Sequence, residues 1–181
     1  MKSNFWKTLQ QGKPSKLARH AFFSTHKKDI DTHIIIQAPA KKVWNVLTDF
    51  SRYHEWNPLL TRVEGNFSVG ERLNVSARLK SIPVFFSPTI ISIVPDKEFT
   101  WRGDLLSKEI FHGTHRLAIE EISPEHTAFI HSEYYGSSLF KFIFPMVAKI
   151  SLPAFLEMNE ALKHRCEETS LTPDFIHKKL V

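Results

Sequence analysis

The feature that most constrains the fold is a run of β-rich segments followed by one long helical pattern. Six segments typical of strands span residues 60–64, 72–79, 85–94, 98–103, 110–122 and 127–135. Gly, Pro, Asn and Asp residues, typical of turns, separate them. Residues 144–167 then repeat apolar side chains at helical spacing, with Pro153 inside the pattern. Short connections favour antiparallel pairing, and such a sheet needs a helix across one face.

One strand and two short helices precede this run. Residues 32–37, THIIIQ, predict a strand because β-branched residues dominate them. Pro39 predicts the first position of a helix with one apolar face, and a second short helix carries Tyr53 and Trp56. The order predicts an α+β fold with seven antiparallel strands, two short helices after the first strand and a long C-terminal helix. If the sheet curls around that helix, a space opens between them.

Charge is unevenly distributed along the chain. Residues 1–28 hold seven Lys and Arg and no acid, so the remaining residues hold 17 basic and 19 acidic groups, a balance of −2. The net charge of +5 therefore comes from the first segment, and we expect no nucleic-acid partner. Cys166 is the single cysteine, which excludes an internal disulfide and a Cys-based zinc finger. No apolar stretch approaches the roughly 20 residues of a membrane span, and the N-terminus lacks the apolar run of a secretory signal. A cytoplasmic protein is expected, with peripheral membrane contact left open.

Three segments are predicted: a basic N-terminal arm at 1–30, a ligand-binding domain at 31–168 and a C-terminal tail at 169–181. The arm contains two candidate short helices, around residues 3–9 and 14–22. Its basic, aromatic and acid-free composition leaves three interpretations open: packing on the domain, transient contact with an anionic membrane surface, or targeting. Residues 137–150, SSLFKFIFPMVAKI, would join the arm in membrane contact. The composition does not indicate whether the chain is a monomer or an oligomer.

Several segments together resemble one known superfamily. They are APAKKVWNVLTDFSRYHEWNPLL (38–60), the Gly70 turn, the IVP segment ending at Trp101, FHGTHRLAI (111–119) and FLEMNEALKHRCEE (155–168). In this order they resemble the SRPBCC superfamily of START and birch-pollen-allergen-like proteins, especially its polyketide cyclase/dehydrase-like branch. The resemblance covers residues 32–168. It implies a helix-grip fold, in which a curved seven-stranded sheet wraps around the C-terminal helix and encloses a cavity.

The resemblance also implies a range of functions. Members bind lipids, sterols, polyketides or similar molecules, and some are cyclases or aromatases. We therefore expect binding or transport of a hydrophobic small molecule in the cavity. The alternatives are a cyclase or dehydratase-like lyase that uses a His/Glu pair, and a protein-interaction module with a closed cavity. No shared catalytic motif transfers, because this fold does not determine one activity.

Strand alternation identifies candidates for the cavity face. They are His115 and Leu117 on one strand, and Phe129, His131, Glu133 and Tyr135 on the next. His131 and Glu133 are two residues apart, so they share a face and are predicted to form a charge-assisted hydrogen bond. Three roles stay open for this group: general acid–base catalysis by His131, Glu133 and Tyr135, orientation of a ligand, or a structural network.

The remaining ligand-binding candidates come from the helices and one central strand. Trp44, Tyr53 and Trp56 are predicted to shape the cavity entrance, with core packing as the alternative. The resemblance implies further pocket-facing residues, namely Trp101, Phe155, Met158, Asn159 and Leu162. No metal or cofactor is predicted, because the sequence has no HExxH, phosphate-binding glycine loop or GxSxG motif. His115, His131 and Glu133 include metal-ligating residue types, but nothing in their spacing requires a metal.

Overall fold

The computed structural model describes residues 20–24, 29–104, 112–136 and 140–168. The elements are β1 (His20–Ser24), β2 (Asp29–Ile36), helix α1 (Ala40–Thr48), a 3-10 turn (Phe50–Arg52), helix α2 (Tyr53–Trp56), β3 (Leu60–Glu64), β4 (Asn74–Leu79), β5 (Ile82–Phe86), β6 (Thr89–Val94), β7 (Glu98–Asp104), β8 (His112–Ser123), β9 (His126–Gly136) and helix α3 (Phe140–Glu168). This is the α+β helix-grip fold that the sequence predicted. Predictions about residues 1–19, 25–28, 105–111, 137–139 and the tail at 169–181 lie outside the described residues, and so do the first two residues of the predicted strand at 110–122.

The strands form two antiparallel sheets. The larger has the order β1-β2-β9-β8-β7-β6, and the smaller has the order β3-β4-β5. The segment before β4 joins them, because Gly70 N donates to the Ile90 carbonyl at 2.8 Å and Ile90 N donates to the Glu71 carbonyl at 2.9 Å. A bridge between Arg72 and Thr89 lies beside these bonds. The small sheet therefore continues the large one and forms one end of the enclosed space.

The described residues form nine strands, so the predicted count of seven is wrong. The predicted strand at 85–94 divides into β5 and β6, since Pro88 has no backbone N–H to continue the ladder. Residues 20–24, partly covered by a predicted helix, instead form β1 and pair with β2. Pairing with β2 supplies backbone hydrogen bonds to a segment too short to be stable as an isolated helix.

The first helix begins one residue later than predicted. Pro39 precedes it with φ −59° and ψ 145°, and its carbonyl accepts hydrogen bonds from the backbone N–H groups of Lys42 and Val43. Val43, Trp44 and Leu47 are its buried residues. The apolar spacing of this segment therefore turns one face of α1 toward the core.

The C-terminal helix α3 extends through both Pro145 and Pro153 and begins four residues earlier than the pattern predicted. It packs against β2, β9 and α1. Its buried side chains are Phe144, Ala148, Ser151, Ala154, Phe155, Met158, Asn159, Leu162 and Cys166. Burial raises the pKa of the Cys166 thiol to about 12, so this thiol is protonated at neutral pH. None of the described helices is long and apolar enough to cross a membrane.

Candidate functional site

A cavity of about 300 Å³ lies between the two sheets and α3. Its apolar wall consists of Leu59, Leu60, Ala77, Leu79, Val84, Phe86, Trp101, Val147 and Phe155. Gly103 and Gly113 line it as well, and its polar groups are Asp104, His115, Glu133, Tyr135 and Ser151. The polar groups come from β7, β8, β9 and α3, whereas β3, β4 and β5 contribute only apolar side chains to the wall.

The pairing of β8 with β9 brings the polar side chains together. His115 lies opposite Glu133, and Gly113 lies opposite Tyr135. Since alternate residues of a strand point to the same face, both pairs face α3. A side chain at Gly113 would displace the Glu133 carboxyl group from this position, because a Cβ here would lie 2.9 Å from its Oε1. The glycine therefore gives the carboxyl group its place in the wall.

Glu133 and Tyr135 form a hydrogen-bonded pair at the cavity. The Tyr135 hydroxyl donates to Oε2 of Glu133 at 2.6 Å and lies 3.5 Å from Oγ of Ser151. Burial among apolar groups raises the pKa of Glu133 to about 7, although the bond from Tyr135 opposes the rise. Burial, together with the nearby carboxylate, also raises the pKa of Tyr135 well above its usual value. The pair therefore holds a carboxyl group that gains or loses a proton near neutral pH.

Two histidines begin a buried hydrogen-bond chain that leads away from the cavity. Nε2 of His115 and Nε2 of His131 lie 2.6 Å apart. Nδ1 of His131 lies 2.9 Å from Oδ1 of Asn159, whose Nδ2 donates to Oγ1 of Thr32 at 2.9 Å. The Thr32 hydroxyl then donates to the backbone carbonyl of His131 at 3.2 Å. The chain crosses from β8 through β9 to α3 and β2, so it depends on tertiary packing.

Aromatic rings hold both imidazoles in place. Phe155 stacks on His131 with ring centroids 3.9 Å apart and planes within 9°, and on His115 at 5.3 Å. The ring of Trp101 packs edge-to-face with the ring of His115, with their centroids 5.4 Å apart. Burial lowers the pKa of His131 to about 4, and burial with His131 as neighbour lowers that of His115 well below 6.5. Both rings are therefore neutral at pH 7.

The predicted hydrogen bond between His131 and Glu133 does not form, and this prediction is wrong. His131 instead contacts His115 and Asn159, while Glu133 accepts from Tyr135. The register of β8 against β9 brings His115 to His131, and α3 brings Asn159 to it. These contacts are closer than the separation of residues i and i+2 along one strand. Chemically, the site contains two neutral imidazoles and one carboxyl group able to exchange a proton near pH 7.

The structure separates the predicted ligand-binding and catalytic residues into two groups. Those that line the cavity are Trp101, His115, Glu133, Tyr135 and Phe155. Those that do not are Trp44, Tyr53, Trp56, Leu117, Phe129, His131, Met158, Asn159 and Leu162. Within the second group, His131 is hydrogen-bonded to His115 of the cavity wall, and Asn159 is hydrogen-bonded to His131. Leu117, Phe129, Met158 and Leu162 are fully buried in the core.

Trp44, Tyr53 and Trp56 lie in aromatic packing around α1 and α2. Trp44 meets Phe99 edge-on at 6.3 Å, and Tyr53 meets Phe50 in the same way at 5.3 Å. The buried Tyr53 hydroxyl donates to the Leu47 carbonyl at 2.5 Å, which ties α2 to the end of α1. Trp56 is half-buried against Tyr53 at 5.1 Å. These rings pack the core beside the cavity, and none of the three lines it.

Sequence reasoning missed the wall that β3, β4 and β5 contribute. Its residues are Leu59, Leu60, Ala77, Leu79, Val84 and Phe86. The alternation of polar and apolar residues in β4 was visible in the sequence, but it does not distinguish a strand facing a cavity from one facing packed side chains. The opposed glycines Gly103 and Gly113 were a usable signal, because paired glycines in adjacent strands leave space above the sheet.

The described residues contain no cluster of three or more His, Cys, Asp and Glu side chains arranged to hold a metal ion. His115 and His131, which the sequence analysis considered as metal ligands, direct their Nε2 atoms at one another. In this hydrogen bond one Nε2 carries the proton and the other accepts it, so neither Nε2 atom is free to bind a metal ion.

Comparisons with known proteins place the chain in a family. The polyketide cyclase / dehydrase and lipid transport family matches residues 27–167. No curated protein sequence matches. Among solved structures, the Zhui aromatase/cyclase from Streptomyces sp. R1128 is similar with a TM-score of 0.66 and 14% identity over 81% of this chain and 97% of that one.

Two further structures show the same fold. A START superfamily protein from Mycobacterium smegmatis has a TM-score of 0.63 and 15% identity, covering 78% of this chain and 98% of that one. A truncated norcoclaurine synthase from Thalictrum flavum has a TM-score of 0.59 and 14% identity, covering 84% and 98%. At these identities the structures establish the fold, while the family match rests on this chain's own sequence. The chain belongs to the polyketide cyclase / dehydrase and lipid transport family.

Proposed function

We propose that this protein binds a compact, mainly hydrophobic small molecule in the cavity between its sheets and α3. The observation that carries the proposal is the cavity itself, about 300 Å³ of space with an apolar wall and polar groups concentrated on β7, β8, β9 and α3. Small-molecule sites combine apolar walls with a few polar groups that fix orientation. Family membership agrees with this role.

The size of the cavity narrows the ligand class. Ligand pockets span about 300–1,000 Å³, so this one is at the small end. An apolar protein cavity of about 150 Å³ accommodates benzene, and roughly twice that volume suits a molecule of two or three rings or a short acyl chain. A two-chain lipid is too large for this space. Among lipids and polyketides, the volume favours small cyclic molecules.

Unfilled space in the cavity argues against the protein-interaction alternative. That hypothesis requires the core to fill its own hollow with side chains such as Phe86 and Phe155. Both rings line the wall, and the space between them and β8 is open. Binding therefore explains a feature that a closed interaction module does not require.

A second candidate function is acid–base chemistry on a bound carbonyl compound, as in a cyclase or dehydratase. Glu133 favours it, because a carboxyl group with a pKa of about 7 beside a phenol can both accept and donate protons near neutral pH. The catalytic role predicted for His131 is weaker, since its ring does not line the cavity and its pKa is about 4. In this second candidate function Glu133 and Tyr135 would contact the substrate, because both line the cavity.

A matched pair of substitutions tests binding. Val84 lines the cavity on β5, whereas Val94 is exposed at the end of β6. Val84→Trp should fill the space and weaken binding of 1-methylnaphthalene, measured by titration calorimetry, by at least about tenfold. Val94→Trp introduces the same side chain outside the cavity and should leave the affinity unchanged. Equal affinities for both variants would show that the probe binds elsewhere, against the proposal.

Activity is tested separately from binding. Glu133→Gln keeps the shape of the side chain and its ability to accept from Tyr135, but removes the titrating proton. If the protein only binds, this variant should retain 1-methylnaphthalene affinity and no turnover of hydroxylated polyketide mimics should depend on Glu133. Turnover by the unmodified protein that Glu133→Gln abolishes would establish the second candidate instead.

A further inference from the structure

We propose that Nδ1 of His115 accepts a hydrogen bond from a hydroxyl group of the ligand, so that the bound molecule is compact, uncharged and hydroxylated. This inference rests on the proposed binding function and specifies the ligand class of the same cavity. It is carried by the hydrogen-bond chain behind His115, which fixes the ring nitrogen left for a ligand.

Thr32 fixes the direction of that chain. Its hydroxyl proton is directed at the His131 carbonyl, 3.2 Å away, so its oxygen accepts from Asn159. Nδ2 of Asn159 must then face Thr32, and Oδ1 must face His131. An amide oxygen accepts and cannot donate, so Nδ1 of His131 carries a proton.

The protonation of His131 determines that of His115. In a neutral imidazole only one nitrogen carries a proton, so Nε2 of His131 has a free lone pair. Nε2 of His115, 2.6 Å away, must donate to it. The proton of His115 therefore sits on Nε2, and Nδ1 keeps its lone pair. Within the described part of the chain, the hydrogen bond of His115 is made through Nε2, and the residue lines the cavity.

The surroundings favour a hydroxyl group as the donor. An ionised ligand would lose its hydration against the apolar wall, which is costly. A carboxylate would also meet the Glu133 side chain, which lies opposite His115. Phe155 and Trp101 hold the His115 ring, so the acceptor is fixed before a ligand arrives. An uncharged hydroxyl group satisfies the lone pair without these costs.

The protonation states are measurable on the unmodified full-length chain. Long-range ¹H–¹⁵N spectra distinguish the two neutral forms of each histidine ring. We expect the proton on Nε2 of His115 and on Nδ1 of His131. A proton on Nδ1 of His115 would overturn the inference, because that nitrogen could not accept from a ligand. The protonation states are measured on the unmodified chain. His115→Phe and His131→Phe serve only to assign each signal to its residue.

A pair of probes tests the ligand class. 1-Naphthol carries a hydroxyl group where 1-methylnaphthalene carries a methyl group of similar size. The unmodified protein should bind 1-naphthol roughly two- to tenfold more tightly, the range expected for one net hydrogen bond. His115→Phe, which keeps a ring but removes the acceptor, should bind the two probes equally, whatever its overall affinity for them.

Asn159 acts through His131 and is a positioning residue. Asn159→Leu should remove the acceptor that fixes the His131 proton, giving mixed ring forms in the ¹⁵N spectra and a smaller preference for 1-naphthol. Unchanged spectra would contradict the role of the chain.

The outcomes separate this inference from the function on which it rests. If both probes bind the unmodified protein equally, or if His115→Phe keeps the preference, the inference fails and the binding function stands. If neither probe binds, the proposed function fails and the inference fails with it.

Discussion

The proton on Glu133 should make the stability of the fold depend on pH in a characteristic direction. Its pKa is about 7 in the folded protein and 4.5 without the influence of the fold. Between these values the folded state holds the proton more tightly than the unfolded state. The contribution of Glu133 to stability is therefore fully present below pH 4.5 and is lost as the pH rises through about 7.

The magnitude follows from the same two values. One pKa unit corresponds to about 1.4 kcal/mol, so the difference between 4.5 and about 7 limits the cost of the Glu133 charge at pH 8.5 to about 3 kcal/mol. The residue is half-buried and lines an open cavity, so it retains some hydration. We expect a cost of about 1–2 kcal/mol after this allowance.

Urea unfolding of Glu133→Gln tests this cost. The variant cannot ionise, so its free energy of unfolding relative to that of the unmodified protein should rise by about 1–2 kcal/mol between pH 4.5 and pH 8.5. His115 and His131 titrate in both proteins, so their contributions cancel in the difference. Glu120→Gln is the control, because Glu120 is exposed on β8. A difference that stays flat with pH, or that falls, would refute the burial argument for Glu133.

Three further predictions follow from the packing around the cavity. Gly113→Ala should cost only about 1 kcal/mol in urea unfolding, because its Cβ would lie 2.9 Å from Oε1 of Glu133, which is the end of a flexible side chain and can shift, whereas Gly103→Ala, with no contact closer than 3.6 Å, should cost still less; a cost for Gly113→Ala well above this would contradict the freedom of the Glu133 side chain. Tyr53→Phe should lower stability by about 1 kcal/mol through the lost hydroxyl, yet leave 1-methylnaphthalene affinity unchanged in calorimetry; a changed affinity would place Tyr53 at the site. The pKa values of His115 and His131 are lowered, so stability should fall as the pH drops from 6.5 toward 4, and replacing both by Phe should flatten this acid limb in pH-dependent unfolding; a limb that persists would assign it to other groups.

Local patterns were sufficient to predict most of the strands, but not β1 or the division between β5 and β6. The segment at 60–64 is β3 without change, and the segment at 127–135 differs from β9 by one residue at each end. Such signals are local, because alternation and turn residues act over a few positions. The division between β5 and β6 was missed although Pro88 marks it, since the apolar residues on both sides read as one continuous run.

Hydrogen-bond partners within the site were not predictable in the same way. His131 and Glu133 share a face, but their partners are set by the register of β8 and by the position of Asn159 on α3. Asn159 is 28 residues from His131 in the chain. Trp44 and Tyr53 illustrate a related limit, because buried aromatic rings in a short helix have the same pattern whether they pack a core or a pocket.

The most direct test of the central claim is native mass spectrometry of the purified full-length protein, followed by denaturing extraction of any bound molecule. We predict a complex mass above that of the chain, and an extracted compound that is compact and mainly apolar and that 1-methylnaphthalene displaces. Val84→Trp should lose this compound, while Val94→Trp should keep it. A mass equal to that of the chain alone, unchanged after incubation with 1-naphthol and 1-methylnaphthalene, would contradict ligand binding in the cavity.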